Sequence, residues 1–386
     1  MLSGTHRFPR QDQVVYGRPA AEVLTELAAT YGARRLLITT TASLAEGLAA
    51  QTAAALGELC VGVFSGTSAH SPREGVIAGA NEARRLEADL LVALGGGSAI
   101  DATKVMQLCL WAGLTKPDEL DPYRAGRGPD RVKVAEIAAG VRMIAVPTTL
   151  SAAEFTPFAG VSDAARHVKE GYGHPSLAPR AVVLDPAVTL STPPTLWFST
   201  GLKAVDHAVE QLCNRVRAPY ADALAEDGLR RLTRGLAATK ADPAGLDARL
   251  ECQFGMWLAM SGVGSGRGMG ASHAIGHTLG GSYGVPHGIT SAVALPAVLK
   301  WSEGAAGDRQ ALVSSLMGAE GLTASQAVKR LAAGLGLPTD LKSIGIGPDK
   351  FLAIAEHTMH DAGVRSSPRP ITGPQDIVEI LELARG

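Results

Sequence analysis

The run LLVALGGGSAIDATK, residues 90–104, limits what this chain can fold into more than any other stretch. Its first five residues are apolar and have the length of a buried strand. Three glycines follow, and the chain passes without a polar loop into a helical stretch that runs through Lys104 to about Trp111. A strand that turns on glycine directly into a helix is half of a βαβ unit, and such units build parallel sheets covered by helices. The rest of the first half repeats the pattern. Residues 35–40 (RLLITT), 60–64 (CVGVF) and 143–146 (MIAV) read as further strands. Residues 42–56 and 72–86 read as helices, the second with Val76, Ile77, Ala80 and Ala83 at helical spacing. After Pro186 the strand-like runs vanish, and Ala-, Leu- and Arg-rich helical segments continue from Thr200 to the C-terminus. The Pro-rich stretch 185–194 (DPAVTLSTPP) is the natural boundary. The expectation is an α/β nucleotide-binding domain with a parallel sheet over residues 1–185 and an all-helical catalytic domain over 186–386. The cleft between them is the expected place for a site.

With 386 residues, 46% of them hydrophobic and 19% charged, the chain has the length and composition of a two-domain globular enzyme. A net charge of −1 lacks the basic excess that nucleic acid or an anionic membrane requires of a partner. Neither an apolar leader nor a run of about 18 apolar residues is present, so no membrane partner is expected. Cys60, Cys109, Cys213 and Cys252 are scattered and form no CxxC pair, which suits thiols in a reducing cytoplasm.

The chemistry-bearing stretches follow the same division. At Gly96 and Gly97 the backbone N–H groups can approach a diphosphate at a helix N-terminus. Ser98 is expected to cap that helix and donate to phosphate, with Asp101 as the acid of a capping box. The turn is not a GxGxxG fingerprint. No acid follows the strand at 35–40 either; Thr40 stands where an acid would bind the ribose 2′-hydroxyl and repel a 2′-phosphate, which leaves NADP(H) open. In 147–156 (PTTLSAAEFT), Thr148, Thr149, Ser151 and Thr156 offer hydroxyls, and Lys169 lies beyond. In the second half, His273 and His277 are four apart and share a helix face. Gly280, Gly281, Gly284 and Pro286 then break the helix and return the chain to present His287. Two helical histidines and a third from the next turn can serve a metal or a proton transfer. His207 lies on another helical stretch, with Lys203 one turn before it. Arg267 would suit a carboxylate on the substrate.

The ordered set GGGSxxD, PTT with a following Glu, HAxE, HxxxH and a third His in PHG resembles the iron-containing (group III) alcohol dehydrogenase family over nearly the whole chain. The resemblance implies hydride transfer between NAD(P)H and a carbonyl or alcohol, a divalent metal (iron or zinc) in the cleft, and a homodimer. Carried onto this sequence, it assigns His207, His273 and His287 to the metal and His277 to the substrate and nicotinamide. Gly96, Gly97 and Ser98 match the diphosphate loop, Thr148 and Thr149 the threonine pair, and Lys169 the cofactor-side lysine.

One departure bears on the metal. The family's fourth ligand is an Asp at the position of Lys203, and an ammonium repels a dication and offers it no lone pair. Asp206 is not expected to take over, since adjacent side chains point about 100° apart around a helix. The PTT-to-Glu spacing, Val63, Phe64, His70 and Pro72, and HTLGG after His277 resemble the maleylacetate reductases of the family, which also lack the metal Asp. The leading expectation is an NAD(P)H-dependent reductase of a small carbonyl or enoyl compound that works without a metal, with Lys203 in the ion's place. The alternative is a metal-dependent alcohol dehydrogenase with a three-His site.

Overall fold

The computed structural model describes residues 3–125, 134–166 and 168–386, and these divide into two compact units. One is continuous, Phe8–Thr192; the other is Pro193–Gly386 together with the N-terminal residues up to Arg7. The division falls inside the Pro-rich stretch, later than residue 185. Asp185 itself is tied into the first unit, where its carboxylate accepts from Ala20 N and Ala187 N at 2.8 Å. Thr192 donates to the Thr148 carbonyl at 2.7 Å. The residues before Phe8 go elsewhere because Arg7 N donates to the Gly264 carbonyl at 2.7 Å, and His6 packs edge-on against Tyr220.

Among its described residues the first unit holds eight strands: β1 (Gln13–Tyr16), β2 (Leu36–Thr41), β3 (Cys60–Thr67), β4 (Leu90–Gly95), β5 (Arg142–Pro147), β6 (Phe158–Asp163), β7 (Val168–Gly173) and β8 (Ala181–Leu184). Six form a parallel sheet in the order β1-β8-β5-β4-β2-β3, and β6 and β7 form an antiparallel hairpin. Among its helices are α1 (Ala20–Tyr31), α2 (Ala50–Leu56), α3 (Arg73–Arg85) and α4 (Gly97–Ala112). Every residue of β4 is buried, as expected of a central parallel strand covered on both faces. Alternate residues Leu36, Ile38, Val92, Leu94, Ile144 and Val146 share one core with Val23, Leu24 and Leu27 of α1. The helix expected over 42–56 is not continuous: a π segment at Ala45–Ala49, centred on Gly47, interrupts it.

The second unit is helical among its described residues: α5 (Pro194–Leu212), α6 (Pro219–Ala241), α7 (Leu246–Ser261), α8 (Ala271–Tyr283), α9 (His287–Trp301), α10 (Gly307–Leu316), α11 (Ala324–Gly334), α12 (Phe351–Thr358) and α13 (Pro374–Leu383). Ile275 and Leu279 of α8, Val293 and Val298 of α9, and Ile354, Ile377 and Ile380 build a common core. Two glycines let three helices approach closely. A methyl on Gly276 would stand 2.7 Å from Thr290 Oγ1, and one on Gly288 would overlap the Ser199 backbone. Gly284, with φ +68°, takes the left-handed conformation that ends α8. These contacts set His207 of α5, His273 and His277 of α8, and His287 at the start of α9 around one place. No described helix is long and apolar enough to cross a membrane.

Candidate active site

In the α/β unit, parallel pairing sets Gly95 at the end of β4 opposite Pro147 at the end of β5. The GGGS and PTT turns therefore leave the sheet side by side, and Thr148 N donates to the Gly95 carbonyl at 3.0 Å. β4 is also where the strand order reverses, the position at which open α/β sheets bind ligands. Helix α4 starts at Gly97 with Gly96 as its cap residue and no side-chain cap. Its first N–H groups are thus left for a ligand. Opposite them lie Thr149 and Ser151, whose buried hydroxyls have no hydrogen-bond partner. A methyl on Gly96 would sit 2.9 Å from Thr149 Cγ2, and one on Gly97 would sit 3.0 Å from Ser151 Oγ. Uncapped N–H groups, orphaned hydroxyls and a floor with little room for a Cβ fit a diphosphate.

Several residues expected at the cofactor are committed elsewhere. Ser98 is not the cap, because α4 already begins at Gly97. Asp101 closes no capping box; its carboxylate accepts from Gly160 N at 3.1 Å and lies 3.7 Å from Lys104 Nζ. Thr40 is fully buried and donates to the Leu94 carbonyl at 2.7 Å; the hydroxyls at that strand end are Thr41 and Ser43, 3.0 Å apart. Thr156 donates internally to the Ala153 or Phe158 carbonyl and accepts from Lys104 at 3.2 Å. The sequence gives Lys104 no role beyond its place on a helix. It is fully buried, and its ammonium pins the 153–158 turn through the Ala153 and Phe158 carbonyls at 2.5 and 2.6 Å. Lys169 lies exposed on β7, stretched across Gly160. Glu154, the acid after PTT, is buried with neither carboxylate oxygen hydrogen-bonded, and burial pushes it up to about 7.

The histidines of the helical unit do converge. The rings of His207 and His273 stack at 4.9 Å, His273 meets His287 edge-on at 6.4 Å, and His277 lies parallel to His287 at 5.3 Å. His207 and His273 are buried, and burial followed by neighbouring charge, including Lys203, lowers both; His273 falls to about 3. Both imidazoles are therefore neutral. His277 is over half exposed and bonds through Nδ1 to Asp361 Oδ2 at 2.8 Å.

Lys203 is 4% exposed, and its Nζ has no hydrogen-bond partner. The nearest carboxylate, Asp206 Oδ2, is 3.8 Å away. Burial lowers the Lys203 ammonium, and the charges of Asp206 and Glu210 oppose that. Asp206 does reach this cluster, contrary to the expectation from helix geometry. It sits behind His273, 3.5 Å from Nδ1, and accepts from Ser291 and Ser272 at 2.6 and 2.9 Å. The 100° offset separates directions at the helix surface, but here α8 and α9 wrap the helix closely enough to meet both side chains.

Glu210, which in the sequence stands only as the acid of HAxE, belongs to the site. Its carboxylate takes His273 Nδ1 at 2.6 Å, Gly270 N at 2.6 Å and Ser272 N at 2.8 Å. That contact turns His273 Nε2 toward the site as the atom without a partner. Arg267 is no substrate clamp in this unit: it is buried and held on Asp222 at 2.7 Å and the Val216 carbonyl at 3.1 Å.

The three histidines that the resemblance assigns to the metal do not form the close donor set that one ion needs. Among the described residues, the His/carboxylate group whose ligand atoms lie within 4.8 Å of one another is Asp206, Glu210 and His273, not the three histidines. In that group the imidazole N–H and the carboxylates are already bonded to one another and to serine and backbone donors. Lys203 then adds a buried cation beside His207 and His273.

Residues 11–186 match the family described as iron-containing alcohol dehydrogenase, and residues 197–385 match the C-terminal domain of the same family. The chain is 33% identical to Dehydrogenase FUM7 of Gibberella moniliformis over 96% of this chain and 95% of that one. It is 30% identical to a maleylacetate reductase of Sphingobium indicum, with 97% and 96% covered. The crystal structure of maleylacetate reductase from Rhizobium sp. strain MTP-10005 superposes with a TM-score of 0.83 at 30% identity, covering 100% of this chain and 99% of that chain.

Proposed function

The chain belongs to the iron-containing alcohol dehydrogenase family and is an NAD(P)H-dependent oxidoreductase, and we propose that it reduces a small carbonyl or enoyl compound without a divalent metal. The observation that carries this reading is the buried, hydrogen-bond-free Lys203 Nζ among neutral imidazoles. Maleylacetate reductases among its relatives favour a carbonyl or enoyl substrate.

When bound, the reduced nicotinamide supplies the hydride. Gly96, Gly97, Thr149 and Ser151 would hold its diphosphate. Lys203 donates to the substrate oxygen and stabilises the negative charge that develops there, the role a Lewis acid otherwise fills. Asp206 and Glu210 lie behind the ammonium, where burial raises both carboxyls and Lys203 opposes that, and Glu210 fixes the His273 ring. His277, exposed and hydrogen-bonded, delivers the proton. The reading includes a homodimer, on the family's pattern, in the cytoplasm. All four cysteines are free, and burial pushes the thiols of Cys109, Cys213 and Cys252 up to about 12, so they stay protonated.

Two measurements test this. Elemental analysis of the purified enzyme is expected to find well under one metal per chain, and chelator treatment is expected to leave NAD(P)H-dependent reduction of maleylacetate unchanged. Stoichiometric zinc or iron with chelator-sensitive activity would restore the three-His metal enzyme. NADPH is expected to serve at least as well as NADH, because Thr41 and Ser43, not an acid, end β2. A preference for NADH of about a hundredfold, or roughly 2.7 kcal/mol, would refute that argument.

A further inference from the structure

The partner of His277 lies 84 positions along the chain, in the turn after α12. Asp361 uses its two carboxylate oxygens for different purposes. Oδ1 accepts from Gly363 N at 2.7 Å and so caps the turn Ala362–Ser366; Oδ2 takes His277 Nδ1 at 2.8 Å. The cap holds the carboxylate in one orientation, since a buried N–H needs an acceptor. Gly363 is itself confined, as a methyl there would meet the Gly270 carbonyl at 2.7 Å. That carbonyl belongs to the residue that caps α8, the helix bearing His277. Asp361 is thus anchored to the element it serves.

We propose that Asp361 is a positioning residue that holds the His277 proton on Nδ1 and leaves Nε2 as the atom that exchanges a proton with the substrate. This rests on the reading of His277 as the proton donor. An ionised carboxylate only accepts, so Nδ1 must be the donor, and a neutral ring then has its lone pair on Nε2; the exposed ring takes a proton from solvent there, becomes an imidazolium held against the Asp361 carboxylate, and passes that proton to the substrate oxygen, returning to the Nδ1–H form. A second ring supports the same orientation: the His287 imidazole lies parallel to His277, with 2° between the planes. Burial works to raise the Asp361 carboxyl, but the His277 ring and the Gly363 N–H outweigh it and hold the group ionised.

Asp361→Asn separates this role from a structural one. Gly363 N still requires an acceptor, so the amide oxygen stays on it and the NH2 group faces His277. That NH2 donates to Nδ1 and drives the ring proton to Nε2, the wrong tautomer for taking up and delivering a proton. An isosteric change that keeps the cap would be mild if Asp361 only held the turn. Nitrogen shifts of ¹⁵N-histidine-labelled protein, with His277 assigned through His277→Gln, are expected to show Nδ1–H in the wild type and Nε2–H in Asp361→Asn. In NADPH-dependent reduction of maleylacetate, the variant should lose about 10²-fold in kcat with KM within threefold. It should cost nothing further in a His277→Gln background. An Nε2–H tautomer in the wild type, or wild-type kcat in Asp361→Asn, would overturn the proposal. If the wild type does not turn over maleylacetate, the substrate reading is what fails, and the tautomer measurement alone then decides the role of Asp361.

Discussion

Lys203→Met is expected to reduce kcat for carbonyl reduction by about 10³-fold while leaving nucleotide affinity intact. Removing one preorganised donor to a developing oxyanion costs about 10²–10³-fold, and a formal charge in a buried site belongs at the upper end of that range. The side chain is 5% exposed, and methionine matches its length without its charge. One complication is built into the site. Removing Lys203 leaves the Asp206 carboxylate buried 3.8 Å from nothing cationic, and breaking a buried pair in that way destabilises a fold by about 3–5 kcal/mol. The double variant Lys203→Met/Asp206→Asn removes that orphaned charge. If the protein is folded and still inactive, the loss belongs to the chemistry; if activity returns, the electrophilic role of Lys203 is refuted. Lys203→Asp is the converse experiment. A unit charge pair at about 4 Å and an effective dielectric of about 20 is worth roughly 4 kcal/mol, and a dication doubles it. Exchanging repulsion for attraction should therefore let His207 and His273 retain zinc through gel filtration, which the wild type should not do.

Gly96→Val should weaken NADPH binding by at least about 10³-fold, roughly 4 kcal/mol, with little change in the fold. The Gly96 backbone is extended, at φ −84° and ψ −171°, so valine meets no backbone penalty there. What it meets is Thr149: even a Cβ stands 2.9 Å from Thr149 Cγ2, and the added methyls fill the space between the uncapped helix start and the orphaned hydroxyls. Fluorescence titration of NADPH measures this directly, with circular dichroism as the control on folding. Affinity within a few-fold of wild type would remove the GGGS turn from the cofactor site.

How far the residues alone revealed this molecule depends on where each segment is buried. β4 was legible because a parallel strand covered on both faces is apolar throughout. β1 and β8 are four residues each, too short to stand out from an apolar stretch of coil. The β6–β7 hairpin was illegible for a different reason. Its inward positions include Asp163 and Glu170, which are buried against the 2%-exposed Arg73 of α3. Charged residues inside a fold invert the usual alternation, and only the partner's position explains them. In the helical unit, His273 and His277 could be paired by spacing, and His287 by the glycines that turn the chain. Glu210 carried a signal in its place one turn after His207. Asp361 carried none, since nothing local ties it to a histidine 84 residues earlier. The place of Asp206 behind His273 lies beyond a helical wheel, which describes one helix and not the two that enclose it.

The bond from Arg7 to Gly264 has a consequence for how the chain comes to be folded. The α/β unit, Phe8–Thr192, is an uninterrupted segment that needs nothing from the rest of the chain to complete its sheet, so it can collapse during synthesis once residue 192 has left the ribosome. The few residues ahead of it cannot find their partner until more than seventy further residues have been made. The helical unit therefore closes last, around residues 3–7, which are made before the α/β unit. Replacing residues 3–7 by a flexible stretch burdens this late step and spares the early one. It should slow recovery of the helical unit after denaturant dilution while the α/β unit refolds at its own rate.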